Sequence, residues 1–275
     1  MMVLHKDTFV PPMEFERLFD HRETLMWMQQ NWWLSIPFGV LYVALVFFGV
    51  YYRRQRPQMD LRVWLFLWSL MLAVFSIAGA LRTVPYMFHV LLSGGFRRSV
   101  CDQRFYTDPV SSFWAYAFVL SKAPELGDTA FNVLRKKKLL FLHWFHHMTT
   151  LIYSWYGYKE MVAGGGWFMT MNFTIHAFMY SYYTLRAAGV RVPRAVNVVI
   201  TSLQIAQMVM GLFVCVLVYN WMPQGDCPSS VSSVAWGGFM YLSYLLLFVH
   251  FFYKTYIRPT NVSHSGETAK IEKIE

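Results

Sequence analysis

Apolar residues gather into seven long stretches along the chain, and short polar segments separate them. Each stretch holds about 20 residues, which is the length that a helix needs to cross the hydrocarbon core of a bilayer. The predicted spans are residues 33–52, 63–83, 111–134, 139–158, 166–186, 197–221 and 233–256, of which the third and fifth are the least apolar. This pattern predicts an all-α membrane protein in which seven transmembrane helices form a bundle.

The segments outside the predicted spans define the domain organisation. Residues 1–32 form an N-terminal segment, residues 33–256 the seven-helix membrane domain, and residues 257–275 a polar tail that we expect to be flexible. The longest internal connection is predicted to be a loop over residues 84–110.

Composition and charge support a membrane location. Charged residues make up only 14% of the chain, whereas soluble domains contain about 25%. The net charge of +9 would suggest nucleic-acid binding in a soluble protein, but here Lys and Arg concentrate in alternate loops. The basic clusters lie at residues 53–62, 135–138, 186–194 and 254–273. The positive-inside rule therefore predicts a cytosolic C-terminus and a luminal N-terminus, and no nucleic-acid partner is expected.

The sharpest chemical feature is a histidine cluster in the fourth predicted span. His143, His146 and His147 are spaced i, i+3 and i+4, so their imidazoles share one face of a helix. Ionisable residues inside a membrane are costly and point to function. A purely structural role is the alternative, and it fits a lone histidine better than three at this spacing.

Further polar residues recur at helical spacing on the neighbouring predicted spans. In chain order they are Lys122, Glu125, Asp128, Asn172, His176, Tyr180, Tyr183, Gln204 and Gln207. The i, i+3 spacing predicts that Lys122 pairs with Glu125. Hydrogen bonding between helices is the structural alternative for the whole set, and the sequence leaves both interpretations open.

A histidine cluster in a membrane fits two kinds of reaction. The imidazoles could hold a metal, as in membrane desaturases and other oxidases, but one cluster plus His176 without a nearby carboxylate is a poor ligand set. We therefore expect no metal. In acyl transfer, a neutral imidazole attacks a thioester and passes the acyl group to a carbon nucleophile, and burial favours the neutral imidazole. Decarboxylation of malonyl-CoA would supply that nucleophile, with the Asn172 amide as an oxyanion donor. A seven-helix lipid carrier is the non-enzymatic alternative.

Basic residues directly before the histidine cluster suit a CoA substrate. Arg135, Lys136 and Lys137 lie at the predicted cytosolic end, where they could grip CoA phosphates. They could equally serve only as topology anchors. An acyl chain running between apolar helices would gain about 0.8 kcal/mol per buried methylene, so the closed end of a tunnel would set chain length.

The three cysteines show no metal-ligand spacing. Cys101 and Cys227 fall on the predicted non-cytosolic side, where an oxidising compartment permits a disulfide, and the residues alone leave that bond open. Cys215 has apolar neighbours and is expected to be a buried thiol.

These features together resemble a known family, the very-long-chain fatty-acid elongases of the endoplasmic reticulum. Four stretches carry the resemblance: residues 122–129 (KAPELGDT), 143–147 (HWFHH), 171–183 (MNFTIHAFMYSYY) and 201–207 (TSLQIAQ). The resemblance implies seven helices around an acyl-CoA tunnel. It also implies a 3-oxoacyl-CoA synthase, an acyltransferase that condenses acyl-CoA with malonyl-CoA and uses no further cofactor.

The resemblance further implies roles and partners. It implies that His146 carries the acyl group, that His176 faces it across the cavity, and that Cys101 pairs with Cys227. Residues 161–172 are similar to members that act on saturated or monounsaturated chains of about 12 to 16 carbons, whose methylenes the tunnel would bury. Other elongation-cycle enzymes and a second copy of the chain are the expected protein partners. The tail departs from the family, because residues 270–275 (KIEKIE) lack the second lysine of a dilysine retrieval signal.

Overall fold

The computed structural model describes residues 10–258, which form helices and turns and contain no β-strand. The N-terminal half contains α1 (Glu14–Arg17), α2 (His21–Asn31), α3 (Ser35–Arg53), α4 (Arg62–Cys101), α5 (Ser111–Ser121) and α6 (Gly127–Leu134). The C-terminal half contains α7 (Phe141–Lys159), α8 (Gly165–Ala187), α9 (Arg194–Trp221) and α10 (Val231–Phe252). The all-α prediction is confirmed. Of the predicted tail, residues 259–275 lie outside the described residues.

Five predicted spans coincide with helices to within a few residues. These are the first, fourth, fifth, sixth and seventh spans, which correspond to α3, α7, α8, α9 and α10. The last span also includes a short π-turn, Tyr253–Ile257, directly after α10.

The predicted loop over residues 84–110 is wrong over most of its length, because α4 continues to Cys101. Pro85 removes one backbone donor but stays within the helix, and Met87 and Val90 are buried where α4 packs along α8. The helix bends at Gly95, whose φ of 76° lies in the left-handed region that glycine readily adopts.

The third predicted span is not one continuous helix. It is divided into α5 and α6 by a 3-10 turn at Pro124–Leu126, because proline supplies no backbone N–H. The 11 residues of α5 extend only about 16 Å, which is roughly half the thickness of the hydrocarbon core. The bend brings the polar residues on either side of Pro124 close to one another.

Four helical segments are long and apolar enough to cross a membrane: His21–Arg53, Arg62–Cys101, Arg194–Gln224 and Val231–Ile257. Their outer surfaces carry large exposed apolar side chains, among them Phe48, Leu81 and Leu246, which a bilayer would cover. The chain is therefore a multi-pass membrane protein. The remaining helices α5 to α8 are richer in polar residues, and the count of seven spans stays a prediction.

The two ends of the bundle differ chemically. At one end, which we call the disulfide end, a disulfide joins Cys101 at the end of α4 to Cys227 before α10, as the resemblance implies. At the opposite end, which we call the basic end, Lys136 Nζ donates to the carbonyls of Arg54 and Arg56 at 3.1 and 3.0 Å. Helix α7 runs from the basic end to the disulfide end.

A buried carboxylate attaches the N-terminal segment to the bundle. Glu16 on α1 is 1% exposed, and it accepts hydrogen bonds from Arg82 Nε at 2.9 Å and Trp114 Nε1 at 2.8 Å. Burial acts to raise the pKa of Glu16, but hydrogen bonds from Arg82, the Met13 N–H and Trp114 outweigh it and lower that pKa overall.

Candidate active site

The histidine cluster lies in the first two turns of α7, next to the basic end. The ring centroids of His143 and His147 are 4.6 Å apart, and those of His146 and His147 are 5.5 Å apart. The i, i+3, i+4 spacing thus brings the three imidazoles together on one side of the helix, as predicted.

The ring nitrogens of these histidines have different partners. His143 Nε2 is 3.3 Å from Asn132 Nδ2 on α6. His146 receives no hydrogen bond on its ring nitrogens from residues 10–258, and its ring packs against Tyr244 at a centroid distance of 4.7 Å. His147 also has no hydrogen bond on its ring nitrogens from these residues, but of the three histidines only His146 lines the cavity described below.

A second group of polar side chains is organised around Lys122. Lys122 and Glu125 are both buried, and Lys122 Nζ donates to Glu125 Oε1 at 2.7 Å, which confirms the predicted pair. The same amine donates to Asn172 Oδ1 on α8 at 3.1 Å. The Lys122 amine also lies 4.0 Å from the centre of the Phe118 ring.

This arrangement fixes the proton positions of the neighbouring groups. Because Lys122 can only donate, the Asn172 oxygen accepts and the Asn172 amide nitrogen donates to His176 Nε2, 3.1 Å away. His176 then carries its proton on Nδ1, which lies 3.9 Å from Glu125 Oε2. Lys122, Asn172, His176 and Glu125 form a closed ring of polar contacts, which we call the polar ring.

The polar ring lies close to the histidine cluster. Asn172 lines the same cavity as His146, and its amide nitrogen contacts His176 at 3.1 Å. The structure therefore brings together His146, Asn172 and His176, which the sequence placed on two separate helices.

Other predicted site residues serve different contacts. Asp128 accepts hydrogen bonds from Trp68 Nε1 and from the Tyr180 hydroxyl, both at 2.7 Å, and so connects α4, α6 and α8. Tyr183 is 45% exposed and contacts the Tyr180 ring at its edge. These residues stand beside the polar ring rather than in it.

The two glutamines of α9, Gln204 and Gln207, also differ in whether they line the site. Gln207 is buried and lines the cavity that contains His146. Gln204 instead donates to Met179 Sδ at 3.3 Å and does not line this cavity.

The basic residues before α7 also have different environments. Lys136 adopts a φ of 54° and uses its amine to hold backbone carbonyls of the preceding loop. Lys137 and Arg135 are partly exposed at the same turn. Two of the three N–H donors of Lys136 are therefore engaged within the protein.

Several residues around His146 were not singled out by the sequence. The Tyr244 hydroxyl is 2.5 Å from Thr149 Oγ1 and 2.9 Å from Thr150 Oγ1, and it donates to the His146 carbonyl at 3.3 Å. A polar side chain such as that of Tyr244 within the apolar run of α10 could have marked it as a candidate site residue. The sequence does not show, however, that α10 packs on α7 and so brings Tyr244 next to His146.

A cavity extends from His146 towards the disulfide end. Its polar lining near His146 consists of Asn172, Gln207 and Tyr244, and its far part is mostly apolar. Residues from α5, α7, α8, α9 and α10 contribute, including Phe118, Thr150, Tyr153, Gly157, Val162, Gly165, Phe168, Met169, Met208, Met240 and Tyr241. The shape suits a flexible apolar chain whose reacting end lies at His146.

A metal site requires several ligands that converge on one point. Within residues 10–258, no three His, Cys, Asp or Glu side chains are arranged so that they could hold a metal ion.

The fold and the site define a multi-pass membrane protein with a histidine cluster beside an apolar cavity. The chain belongs to the ELO family, described as the GNS1/SUR4 family, which it matches over residues 27–264.

Individual relatives extend over nearly the whole chain. It is 56% identical over 262 residues to very long chain fatty acid elongase 6 of Gallus gallus, with 95% of this chain and 96% of that protein covered. It is 59% identical over 244 residues to the protein of the same name from Homo sapiens, with coverages of 89% and 92%. Very long chain fatty acid elongase 3 of Homo sapiens is 45% identical over 248 residues, with coverages of 90% and 91%. Both relatives named elongase 6 are more similar to this chain than the relative named elongase 3.

Proposed function

We propose that this protein is the condensing enzyme of fatty-acid elongation. It joins an acyl-CoA of about 12 to 16 carbons, saturated or monounsaturated, whose apolar tail the cavity buries, to malonyl-CoA, and it releases 3-oxoacyl-CoA, CO2 and CoA. Membership of the elongase family supports the reaction class. The observation that carries the mechanism is that His146, with an unpaired imidazole, lines the apolar cavity beside Asn172.

In the first proposed step, a ring nitrogen of His146 attacks the thioester carbonyl. The carbon–sulfur bond breaks, CoA leaves as the thiolate and takes up a proton, and the acyl group remains on the imidazole. Cys215 is an unsuitable nucleophile for this step, because it is buried and does not line the cavity that contains His146.

In the second proposed step, malonyl-CoA loses its terminal carboxylate as CO2. The electron pair of the broken carbon–carbon bond forms an enolate, which attacks the acyl carbon and displaces the imidazole of His146. The Asn172 amide nitrogen donates one N–H to His176 and lines the cavity beside His146, so its second N–H would stabilise the negative charge on oxygen. The products are 3-oxoacyl-CoA and the regenerated enzyme.

The proposed orientation follows from the two ends of the bundle. The basic end faces the cytosol, where Arg135 and Lys137 are available to CoA phosphates. The disulfide end faces the lumen of the endoplasmic reticulum, where an oxidising environment maintains the Cys101–Cys227 bond. Seven helices then enclose the tunnel, and other enzymes of the elongation cycle, or a second copy of the chain, are the proposed partners in the bilayer.

Covalent trapping tests the mechanism. Purified protein is incubated with palmitoyl-CoA alone, its intact mass is measured, and any adduct is mapped by peptide sequencing. We expect one acyl group on His146 that disappears when malonyl-CoA is added, while 3-oxoacyl-CoA appears.

The His146→Ala variant is the control for the position of the adduct, and it should remain unmodified. An adduct that persists in this variant would place the acyl group elsewhere. Condensation without any adduct in the wild type would leave the reaction intact and reject His146 as the acyl carrier. Binding of palmitoyl-CoA without release of CO2 from malonyl-CoA would favour a lipid carrier.

A further inference from the structure

The cavity that begins at His146 has a defined depth. Along α7 it is lined by His146, Thr150 and Gly157. A helix rises about 1.5 Å per residue, so the distance along the axis from His146 to Gly157 is roughly 16 Å. An acyl chain attached at His146 would therefore place its methyl end in the far, apolar part of the cavity.

A second, smaller cavity lies next to this far part. The two cavities share three lining residues, Tyr153, Val162 and Phe168, which we call the wall. The far side of the second cavity is formed by Cys215, Val218 and residues before and within α10. The second cavity is thus adjacent to the first, and the three wall residues border both.

The wall is held in place by contacts with other residues that line the two cavities. The Tyr153 hydroxyl donates to the Ser233 carbonyl at 3.3 Å, and the Phe168 ring centroid lies 5.0 Å from that of Tyr241. Val162 is 5% exposed in the turn between α7 and α8. These contacts keep the two cavities apart.

The floor of the first cavity is open at Gly157. A Cβ atom added there would lie 3.4 Å from Val162 Cγ2 and 4.0 Å from Tyr153 Cε1, which is ordinary van der Waals contact. A methyl group is thus accepted without a clash, and a longer side chain would occupy space beside the wall. Alanine also has a higher helix propensity than glycine, so the substitution does not weaken α7.

We propose that the wall of Tyr153, Val162 and Phe168, together with the open floor at Gly157, sets the greatest length of acyl chain that this enzyme accepts. The inference rests on the proposed function, because it assumes that the acyl chain occupies the cavity from His146. A chain gains binding free energy with each methylene until its end reaches the wall. Further methylenes meet packed side chains, although space lies directly behind them.

Substitutions on either side of the wall test the proposal in opposite directions. Phe168→Ala and Val162→Ala should connect the two cavities, whereas Gly157→Leu should fill the floor of the first. Condensation rates are measured with saturated acyl-CoAs of increasing length. For a chain one elongation step longer than the wild-type limit, kcat/KM relative to the preferred chain should rise roughly tenfold or more in the wall variants. Gly157→Leu should lower kcat/KM by a similar factor for the longest chain that the wild type accepts. For shorter chains, kcat/KM should be unchanged.

Phe178→Ala is the matched control, because Phe178 lies on the same helix as Phe168 but is 57% exposed and lines neither cavity. Its length profile should equal that of the wild type. If Phe168→Ala does not fold, Val162→Ala and Gly157→Leu decide the matter. Unchanged length profiles in both of these variants would overturn the proposal while condensation by the wild type continued to support the proposed function.

A binding measurement separates this proposal from the reaction itself. The stabilisation of detergent-solubilised protein against heat is measured with the same series of acyl-CoAs. If the wild type never condenses them, the proposed function fails. The wall proposal is then supported only if stabilisation peaks at a longer chain in Val162→Ala and at a shorter one in Gly157→Leu, and it is overturned if the peak does not move.

Discussion

At the residue scale, the four histidines near the site differ in what their ring nitrogens contact. Asn132 and Asn172 occupy one nitrogen each of His143 and His176, whereas His146 lines the cavity. His147 has neither an amide partner within residues 10–258 nor a place in the cavity lining. An imidazole engaged with an amide is oriented but less available as a nucleophile. Contact geometry therefore favours His146 where spacing alone treats the histidines of the cluster as equivalent.

Replacing His146 should remove condensation without unfolding the protein. We expect His146→Ala to lower kcat by at least about 1000-fold, as loss of a nucleophile does in other enzymes. The measurement is CO2 release from malonyl-CoA, with thermal unfolding recorded in parallel. His250→Ala is the control, since His250 lies exposed on α10 away from the cavity. Similar losses in both variants would contradict the assignment.

The buried pair of Lys122 and Glu125 makes a testable contribution to stability. Lys122→Met leaves the Glu125 carboxylate buried without its partner, which should cost about 3–5 kcal/mol in the free energy of unfolding. The double variant Lys122→Met and Glu125→Gln should recover much of this loss, as measured by thermal unfolding in detergent. Its recovery would show that the unpaired charge, rather than lost packing, causes the destabilisation.

The control for this pair is Lys159→Met. Lys159 pairs with Glu160 at 2.8 Å, but the two side chains are 20% and 36% exposed. Exposed pairs contribute about 1 kcal/mol or less. A cost for Lys159→Met as large as that for Lys122→Met would argue against an effect of burial.

At the element scale, the sequence predicted helices well and their interruptions poorly. The bounds of α3, α7, α8, α9 and α10 follow from apolar runs of the right length. The length of α4 was not predictable in this way, because Pro85, Gly94 and Gly95 suggest a loop. Only the packing of α4 along α8 shows that the helix continues past Pro85. Propensity is a weak prior that tertiary contacts override.

The same limit applies to the site. The i, i+3 spacing predicted the Lys122–Glu125 pair, because both residues belong to one local segment. The contact of Lys122 with Asn172 depends on how α8 packs against the bend at Pro124, and no periodicity reports that packing. The two cavities are likewise a property of five assembled helices.

The short helix α1 provides a prediction about pH. The folded pKa of Glu16 is lowered from its ordinary value of 4.5, so its stabilising effect is complete above that value and is lost as the pH falls through the lowered pKa. The N-terminal segment should therefore become sensitive to an acid-active protease below about pH 4.5. Mass spectrometry of the cleavage products over a pH series measures this.

Variants at two neighbouring positions separate this effect from general acid unfolding. Glu16→Gln should be cleaved at all pH values and lose the pH dependence, whereas Glu14→Gln should behave as the wild type because Glu14 is exposed. A wild-type pH profile in Glu16→Gln would show that another group is responsible.

At the scale of the whole molecule, the disulfide connects positions separated by 126 residues. Closing so long a loop restricts the unfolded chain, and its removal should cost about 2–5 kcal/mol. We expect Cys101→Ser to lower the Tm, and a reducing agent to lower the wild-type Tm to the same value. Cys215→Ala is the control, since Cys215 is a free thiol and its response to reductant should match that of the wild type. A Tm unaffected by reductant in the wild type would contradict this expectation.

The position of that bond also has a consequence for biogenesis. Cys101 cannot find its partner until the ribosome has added the 126 residues that separate it from Cys227, which takes roughly ten seconds at typical rates of synthesis. During this interval the Cys101 thiol has no intramolecular partner, while helices α5 to α9 are synthesised. The disulfide-bonded form is therefore a marker of chains whose helix bundle is complete. A variant whose helices insert correctly but pack slowly would form this disulfide more slowly than the wild type.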